Sequence, residues 1–123
     1  MTDGKIRTDL EEEKKKKILI LFCGGTISMS KNAEGSLDIA HGADQFFKLE
    51  PRIVEIAEID LRNIMNIDSS NAVPENWQQI AQAISEEYDK YDGFLITHGT
   101  NTMAYTASAL SFALQNLGKP VVL

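Results

Sequence analysis

The sequence lacks most features that would place the protein outside the cell or in a membrane. It contains one cysteine, Cys23, so an internal disulfide bond is excluded and a disulfide-stabilised secreted scaffold is not indicated. No apolar run approaches the roughly 20 residues that cross a bilayer, and the N-terminus has no apolar segment of a signal peptide. We therefore expect a cytoplasmic protein without a membrane partner, and we interpret Cys23 as a small buried residue rather than a reactive thiol.

Positive charge is also scarce. The chain has 12 Lys and Arg residues against 18 Asp and Glu residues, which gives a formal net charge of −6. A nucleic-acid-binding protein needs a basic face, so this balance argues against DNA or RNA as a partner. The lysine run at 14–17 directly follows glutamates that offset most of its charge. We interpret residues 1–16 as a solvated tail.

Cofactor motifs are missing as well. The histidines, His41 and His98, show no metal-ligand spacing with each other or with Cys23, so no metal site is predicted. Gly24-Gly25-Thr26 lacks both the dinucleotide-binding and the P-loop patterns, so we expect no cofactor. What remains is an ordinary globular composition, with 43% hydrophobic residues in a length that suits one domain.

From Lys17 onward, short apolar runs alternate with segments of helical periodicity. We predict buried strands at about 17–23 and 93–97, and further strands at 53–57 and 120–123. The polar segment 28–40 predicts an excursion or a hairpin over the sheet, and 64–67 a short extended piece. The chain ends inside a predicted strand, so we expect it to be part of a longer protein.

Three helices are predicted between these strands. Asp44 caps a short one that carries Phe46, Phe47 and Leu49 and ends at Pro51. A longer one runs from Pro74 to about Asp89, with an apolar face of Trp77, Ile80, Ile84 and Tyr88. The last is ended by Gly118 and has an apolar stripe of Met103, Ala107, Leu110, Leu114 and Leu117. This alternation predicts an α/β fold with a parallel sheet and right-handed crossovers.

Two threonine-bearing loops follow predicted strands, Gly24-Gly25-Thr26-Ile27 and His98-Gly99-Thr100-Asn101-Thr102-Met103. Open parallel sheets keep their ligand sites at the carboxyl ends of the strands, and hydroxyls on glycine-containing loops suit acyl or amide chemistry. Turn formation and helix capping also explain these residues, as they do those of a third loop, Asp68-Ser69-Ser70. His98 is either a base beside a threonine or a buried structural histidine.

The three loops, in this order, resemble the N-terminal part of the bacterial-type L-asparaginases. The related D subunit of the archaeal glutamyl-tRNA amidotransferase shares these motifs, and the resemblance covers about 17–123. It implies a parallel-sheet three-layer α/β sandwich, the N-terminal domain of an asparaginase-like fold. It further implies hydrolysis of L-asparagine, or of L-glutamine, in a homo-oligomer that is a dimer or a tetramer.

The same resemblance implies residue roles. Thr26 matches the nucleophile that attacks the side-chain amide carbonyl, and Thr100 matches a second catalytic threonine. Asn101 stands at the position of a catalytic aspartate that binds the substrate's α-ammonium group. The family's substrate-binding positions correspond to Ser69, which holds the α-carboxylate, and to Ser70, Gly25 and Gly99.

Three departures from the family pattern leave the activity open. Besides Asn101, Ser36 stands where a mobile-loop tyrosine is expected, and the family's catalytic lysine lies beyond Leu123. We therefore expect the chain alone to be impaired as an asparaginase. The alternatives are a catalytically degenerate module that binds an amino acid or a partner, and a subunit of a tRNA-dependent amidotransferase.

Overall fold

The computed structural model describes residues 14–25, 30–31, 37–38, 47–48 and 50–123. In these ranges, a parallel sheet is formed by β1 (Lys16–Phe22), β4 (Ala57–Asn63), β5 (Gly93–Thr97) and β6 (Val121–Val122). The strand order across this sheet is β4-β1-β5-β6. The short strands β2 (Ser30–Lys31) and β3 (Leu37–Asp38) pair antiparallel, which is the hairpin form of the predicted excursion. The predicted α/β fold with a parallel sheet is confirmed.

The central strand β1 supplies much of the core. It pairs with β4 on one side and with β5 on the other. Its residues 19–22 and the following Cys23 are all buried, as expected for a strand covered on both faces of a parallel sheet. Cys23 is therefore the buried residue that the sequence indicated. Its burial raises the pKa of the thiol to about 12, which disfavours the reactive thiolate.

Two long helices pack beside the sheet. Helix α2 (Pro74–Glu87) begins with a proline in its first turn, and the Asn76 side chain accepts a hydrogen bond from the Val73 N–H at 2.9 Å. It contributes Ile80, Ala83 and Ile84 to the core. Helix α3 (Met103–Ala113) follows β5 and buries Thr106 and Leu110.

The predicted strand at 53–57 is wrong. Ile53–Ile56 forms a single helical turn, α1, and the strand begins only at Ala57. The β-branched run favours a strand locally, but Ile56 is 76% exposed, so this run does not enter the core. Strand β4 instead alternates inward residues with charged ones, as an outer strand of a sheet can. Ile64 continues from it, donating its N–H to the Phe22 carbonyl at 2.9 Å.

The predicted end of α3 is also wrong. The helix ends at Ala113, because Leu114 is already extended and Asn116 has a φ of 56°. Leu117 is therefore not on the buried stripe and is 39% exposed. The Gly118 N–H donates to the Tyr88 hydroxyl at 2.7 Å, which directs the chain back toward β6.

Several predicted features lie outside the described residues. They are most of the tail 1–16, Thr26, Ser36, His41 and most of the predicted helix after Asp44. Of that helix only Phe47 and Lys48 are described, and both are helical.

Candidate active site

The strand order defines where a ligand site is expected. The chain passes from β1 to β4 on one side, then crosses to β5 and β6 on the other, so the winding direction reverses between β1 and β5. In open α/β sheets, ligands bind in the crevice outside the carboxyl ends of the strands at such a reversal. The loops that begin with Gly24 and His98 follow β1 and β5, and they flank this crevice.

The first loop depends on glycine for its shape. Gly24 and Gly25 have φ values of 104° and 92°, which side-chain-bearing residues rarely adopt. A Cβ atom on Gly24 would collide with the carbonyl oxygen of Ile67. A Cβ atom on Gly25 would lie 3.1 Å from the carbonyl carbon of His98. The backbone of the first loop therefore packs directly against the two other candidate loops.

The second and third loops also meet each other. A Cβ atom on Gly99 would lie 2.6 Å from the Oγ atom of the buried Ser69. Thr102 Oγ1 donates to the Ser69 carbonyl at 2.7 Å, and Asn101 Nδ2 donates to Ser70 Oγ at 2.9 Å. The structure thus brings together residues 24–25, 67–70 and 98–102, which are far apart in sequence.

Asp68 shapes the third loop. Its Oδ1 atom accepts a hydrogen bond from the Ser70 N–H at 2.9 Å and caps a single 3₁₀ turn at Ser69–Asn71. The turn presents the exposed Ser70 to Asn101. This arrangement fulfils the capping that the sequence predicts, and it also leaves a hydroxyl and an amide side by side at the crevice.

Thr100 and Asn101 are exposed at the tip of the second loop, so both side chains are accessible to a ligand. Asn101 is an uncharged amide, and its NH₂ group is directed to Ser70. An aspartate at this position would instead accept a hydrogen bond from Ser70 and would bring a negative charge to the crevice. Thr26 directly follows Gly25 in the sequence but lies outside the described residues.

His98 is engaged by the protein through both ring nitrogens. Its Nδ1 atom lies 2.7 Å from the Gly99 carbonyl oxygen, and its Nε2 atom lies 2.8 Å from Thr106 Oγ1. Trp77 Nε1 donates to the same Thr106 hydroxyl at 2.9 Å. These contacts favour the structural interpretation of His98. Sequence analysis did not identify Thr106, although a polar residue at helical spacing from Met103 and Leu110 was a usable signal.

Metal clusters and membrane-spanning helices are both absent from the described residues. No group of three or more His, Cys, Asp or Glu residues there could hold a metal ion. No helix in the same ranges is long and apolar enough to cross a membrane.

The fold and the three converging loops define an α/β protein with a site built at the carboxyl ends of its central strands. Residues 17–123 match the family model of the asparaginase N-terminal domain, so the chain belongs to the asparaginase family. The family predicted from the loops is confirmed.

Individual relatives agree with this membership. The chain is 45% identical to L-asparaginase 1 of Escherichia coli over 111 residues, which is 88% of this chain and 33% of the relative. It is 40% identical to the D subunit of the glutamyl-tRNA(Gln) amidotransferase of Pyrococcus abyssi over 109 residues, 87% of this chain and 25% of the relative. The solved structure of the thermostable L-asparaginase from Thermococcus kodakarensis matches with a TM-score of 0.78 and 44% identity, over 86% of this chain and 33% of that one. The chain therefore spans about a third of the length of the asparaginases that it matches.

Proposed function

We propose that the chain provides the nucleophile-bearing part of an L-asparaginase, which hydrolyses L-asparagine to L-aspartate and ammonia without a cofactor. The observation that carries this proposal is the convergence of the loops at 24–25, 67–70 and 98–102 beside the switch point of the sheet. The chain's membership of the asparaginase family supports the same reaction.

In the proposed reaction, the Thr26 hydroxyl attacks the side-chain amide carbonyl of the substrate. A C–O bond forms, the C–N bond breaks, and the threonine proton leaves with the nitrogen as ammonia. Water then hydrolyses the acyl-enzyme ester, which releases L-aspartate and restores Thr26. A neutral hydroxyl is a weak nucleophile, so the proton must pass through neighbouring groups, among which we assign Thr100.

Backbone and side-chain groups of the loops then bind the rest of the substrate. Backbone N–H groups beside Gly25 and Gly99 are suited to stabilise the oxyanion, at about 3 kcal/mol per donor. The α-carboxylate is assigned to Ser69 and Ser70. The α-ammonium group is assigned to Asn101. The uncharged oxygen of Asn101 binds a cation less strongly than a carboxylate does, because the negative charge is missing. A hydrogen bond to a charged group contributes roughly 1.5–3 kcal/mol.

We further propose that the chain alone is a poor catalyst. Thr100 and Asn101 are exposed, whereas catalysis of this type depends on an enclosed site that keeps out bulk solvent and admits the single reacting water. In the described sheet, β4 and β6 are the outer strands, and an unpaired outer strand favours association with another chain. A homo-oligomer, either a dimer or a tetramer, is therefore proposed, and sedimentation velocity tests it.

Ammonia release from L-asparagine by the purified chain tests the proposed function, with L-glutamine as the second substrate. Thr26→Ala removes the nucleophilic hydroxyl, whereas Thr26→Ser retains one and serves as the matched control. We expect weak release that falls to background in the alanine variant and persists in the serine variant. Equal release by the wild type and Thr26→Ala would refute Thr26 as the nucleophile.

Asn101 favours a second candidate, a module that binds an amino acid without chemistry. The expected result is then calorimetric binding of L-aspartate, unchanged by Thr26→Ala, with no ammonia released by any variant.

The likeness to the amidotransferase D subunit favours a third candidate, a subunit of a tRNA-dependent amidotransferase. This candidate would be excluded if no partner subunit co-purified with the chain and its activity did not depend on tRNA.

A further inference from the structure

A buried hydroxyl on α3 joins three separate parts of the fold. Thr106 is fully buried in a helix whose other buried residue is Leu110. Its Oγ1 atom lies 2.9 Å from Trp77 Nε1 on α2 and 2.8 Å from His98 Nε2 on the loop after β5. A buried polar group is costly unless it is hydrogen-bonded, and Thr106 meets this requirement with two side chains from elsewhere in the chain.

The chemistry of the partners fixes the direction of each hydrogen bond. The Gly99 carbonyl oxygen can only accept, so the His98 Nδ1 atom beside it carries the proton. The Thr106 oxygen is bonded to the indole N–H of Trp77, which can only donate, so the Thr106 O–H is left to donate to His98 Nε2. The result is one directed chain, from Trp77 through Thr106 and His98 to the Gly99 carbonyl.

This chain ends where the three loops of the candidate active site touch. Gly99 packs against Ser69, and the neighbouring His98 carbonyl packs against Gly25. The next residues along the loop are the exposed Thr100 and Asn101. The orientation of the Gly99 peptide therefore sets the positions of the Thr100 and Asn101 side chains at the crevice.

We propose that Thr106 is a positioning residue of this site. Its hydroxyl acts together with the Gly99 carbonyl: Thr106 donates to Nε2 and the carbonyl accepts from Nδ1–H, so the two contacts hold the His98 ring and, with it, the loop that carries Thr100 and Asn101. The role in catalysis rests on the proposed asparaginase function. The tautomer and the loop position are properties of the fold and stand independently of it.

Two substitutions separate the hydroxyl from the volume of the side chain. Thr106→Val keeps the shape and removes the hydroxyl, whereas Thr106→Ser keeps the hydroxyl. In ¹⁵N NMR spectra of the full chain, the wild type and Thr106→Ser are expected to show His98 as Nδ1–H. Thr106→Val removes the donor to Nε2 and leaves the Gly99 carbonyl as the remaining contact of the ring, so it is expected to weaken this preference. It is also expected to shift the amide resonances of Thr100 and Asn101 and to bind L-aspartate about five- to tenfold more weakly.

Several results would overturn the proposal. One is an Nε2–H tautomer of His98 in the wild type, which decides the matter even if Thr106→Val does not fold. Another is a folded Thr106→Val variant whose loop resonances equal those of the wild type. A third is a Thr106→Ser variant that is perturbed as much as Thr106→Val in every measurement, because the hydroxyl would then not be the cause. If the wild type binds no L-aspartate, the proposed function fails, while the tautomer and the loop resonances still decide the role of Thr106.

Discussion

Replacing Gly99 by alanine tests the contact between the loops most directly. A Cβ atom at this position would lie 2.6 Å from Ser69 Oγ and 2.8 Å from Ser69 Cβ. Ordinary carbon contacts are about 3.5–4.0 Å, so the overlap is roughly 1 Å. Ser69 is buried, and its carbonyl is held by the Thr102 hydroxyl, so it has little room to move.

The expected cost follows from this overlap. Overpacking a well-packed site costs about 1–3 kcal/mol, while Gly→Ala regains about 0.4–1 kcal/mol through the unfolded chain. We therefore expect Gly99→Ala to lower the free energy of unfolding by about 1–2 kcal/mol. This corresponds to a decrease in Tm of roughly 4–8 °C for a domain of this size.

Gly118→Ala is the matched control, because its added Cβ atom would meet only the Tyr88 hydroxyl, at an ordinary 3.6 Å. We expect this variant to be as stable as the wild type or slightly more stable. Urea unfolding, followed through the fluorescence of Trp77, gives both values. Equal stability of the two variants would refute the close packing of the second loop on the third.

Two further predictions follow from single contacts. Asn101→Asp replaces the amide that donates to Ser70 by a carboxylate, which binds an ammonium group more strongly. We expect this variant to bind L-aspartate roughly tenfold more tightly, as measured by calorimetry. Unchanged affinity would refute the assignment of position 101 to the α-ammonium group. The hydrogen bond from the Tyr91 hydroxyl to Asp60, at 2.7 Å, is the main cause that raises the pKa of Tyr91 to about 12. Since the neutral form is favoured in the folded state, this stabilisation is complete below pH ~10 and is lost as the pH rises toward 12. Asp60→Asn is expected to lower the pKa of Tyr91 in an absorbance titration, and an unchanged titration would exclude the contact.

The central strands and the site loops were predictable because their signals are local. The apolar runs of β1 and β5 mark buried strands, and parallel strands bring the loops that follow them to the same edge of the sheet. Strand β4 was misplaced because its alternating charged residues indicate a strand less strongly than the neighbouring Ile53–Ile56 run does. Tertiary contacts overrode this local propensity.

The hydrogen bonds within the site could not be predicted from the sequence in the same way. The hydrogen bond from Asn101 to Ser70 joins residues 31 positions apart, and that from Trp77 to Thr106 joins residues 29 positions apart. Each depends on how a helix or loop docks on the sheet, so no local pattern encodes it. The spacing of Thr106 from Met103 and Leu110, which puts a polar residue on the apolar face of the helix, indicates its burial but not its partner.

The central position of β1 also has a consequence for biosynthesis. The backbone N–H of Cys23, just after this strand, donates a hydrogen bond to the hydroxyl of Thr97, 74 residues later in the chain. At ribosomal rates of about 5–20 residues per second, β1 emerges several seconds before β5 can pair with it. Such non-local pairing is slow, and an unpaired apolar strand is prone to aggregate. The yield of folded protein is therefore expected to depend on chaperones that shield β1 until translation has passed β5.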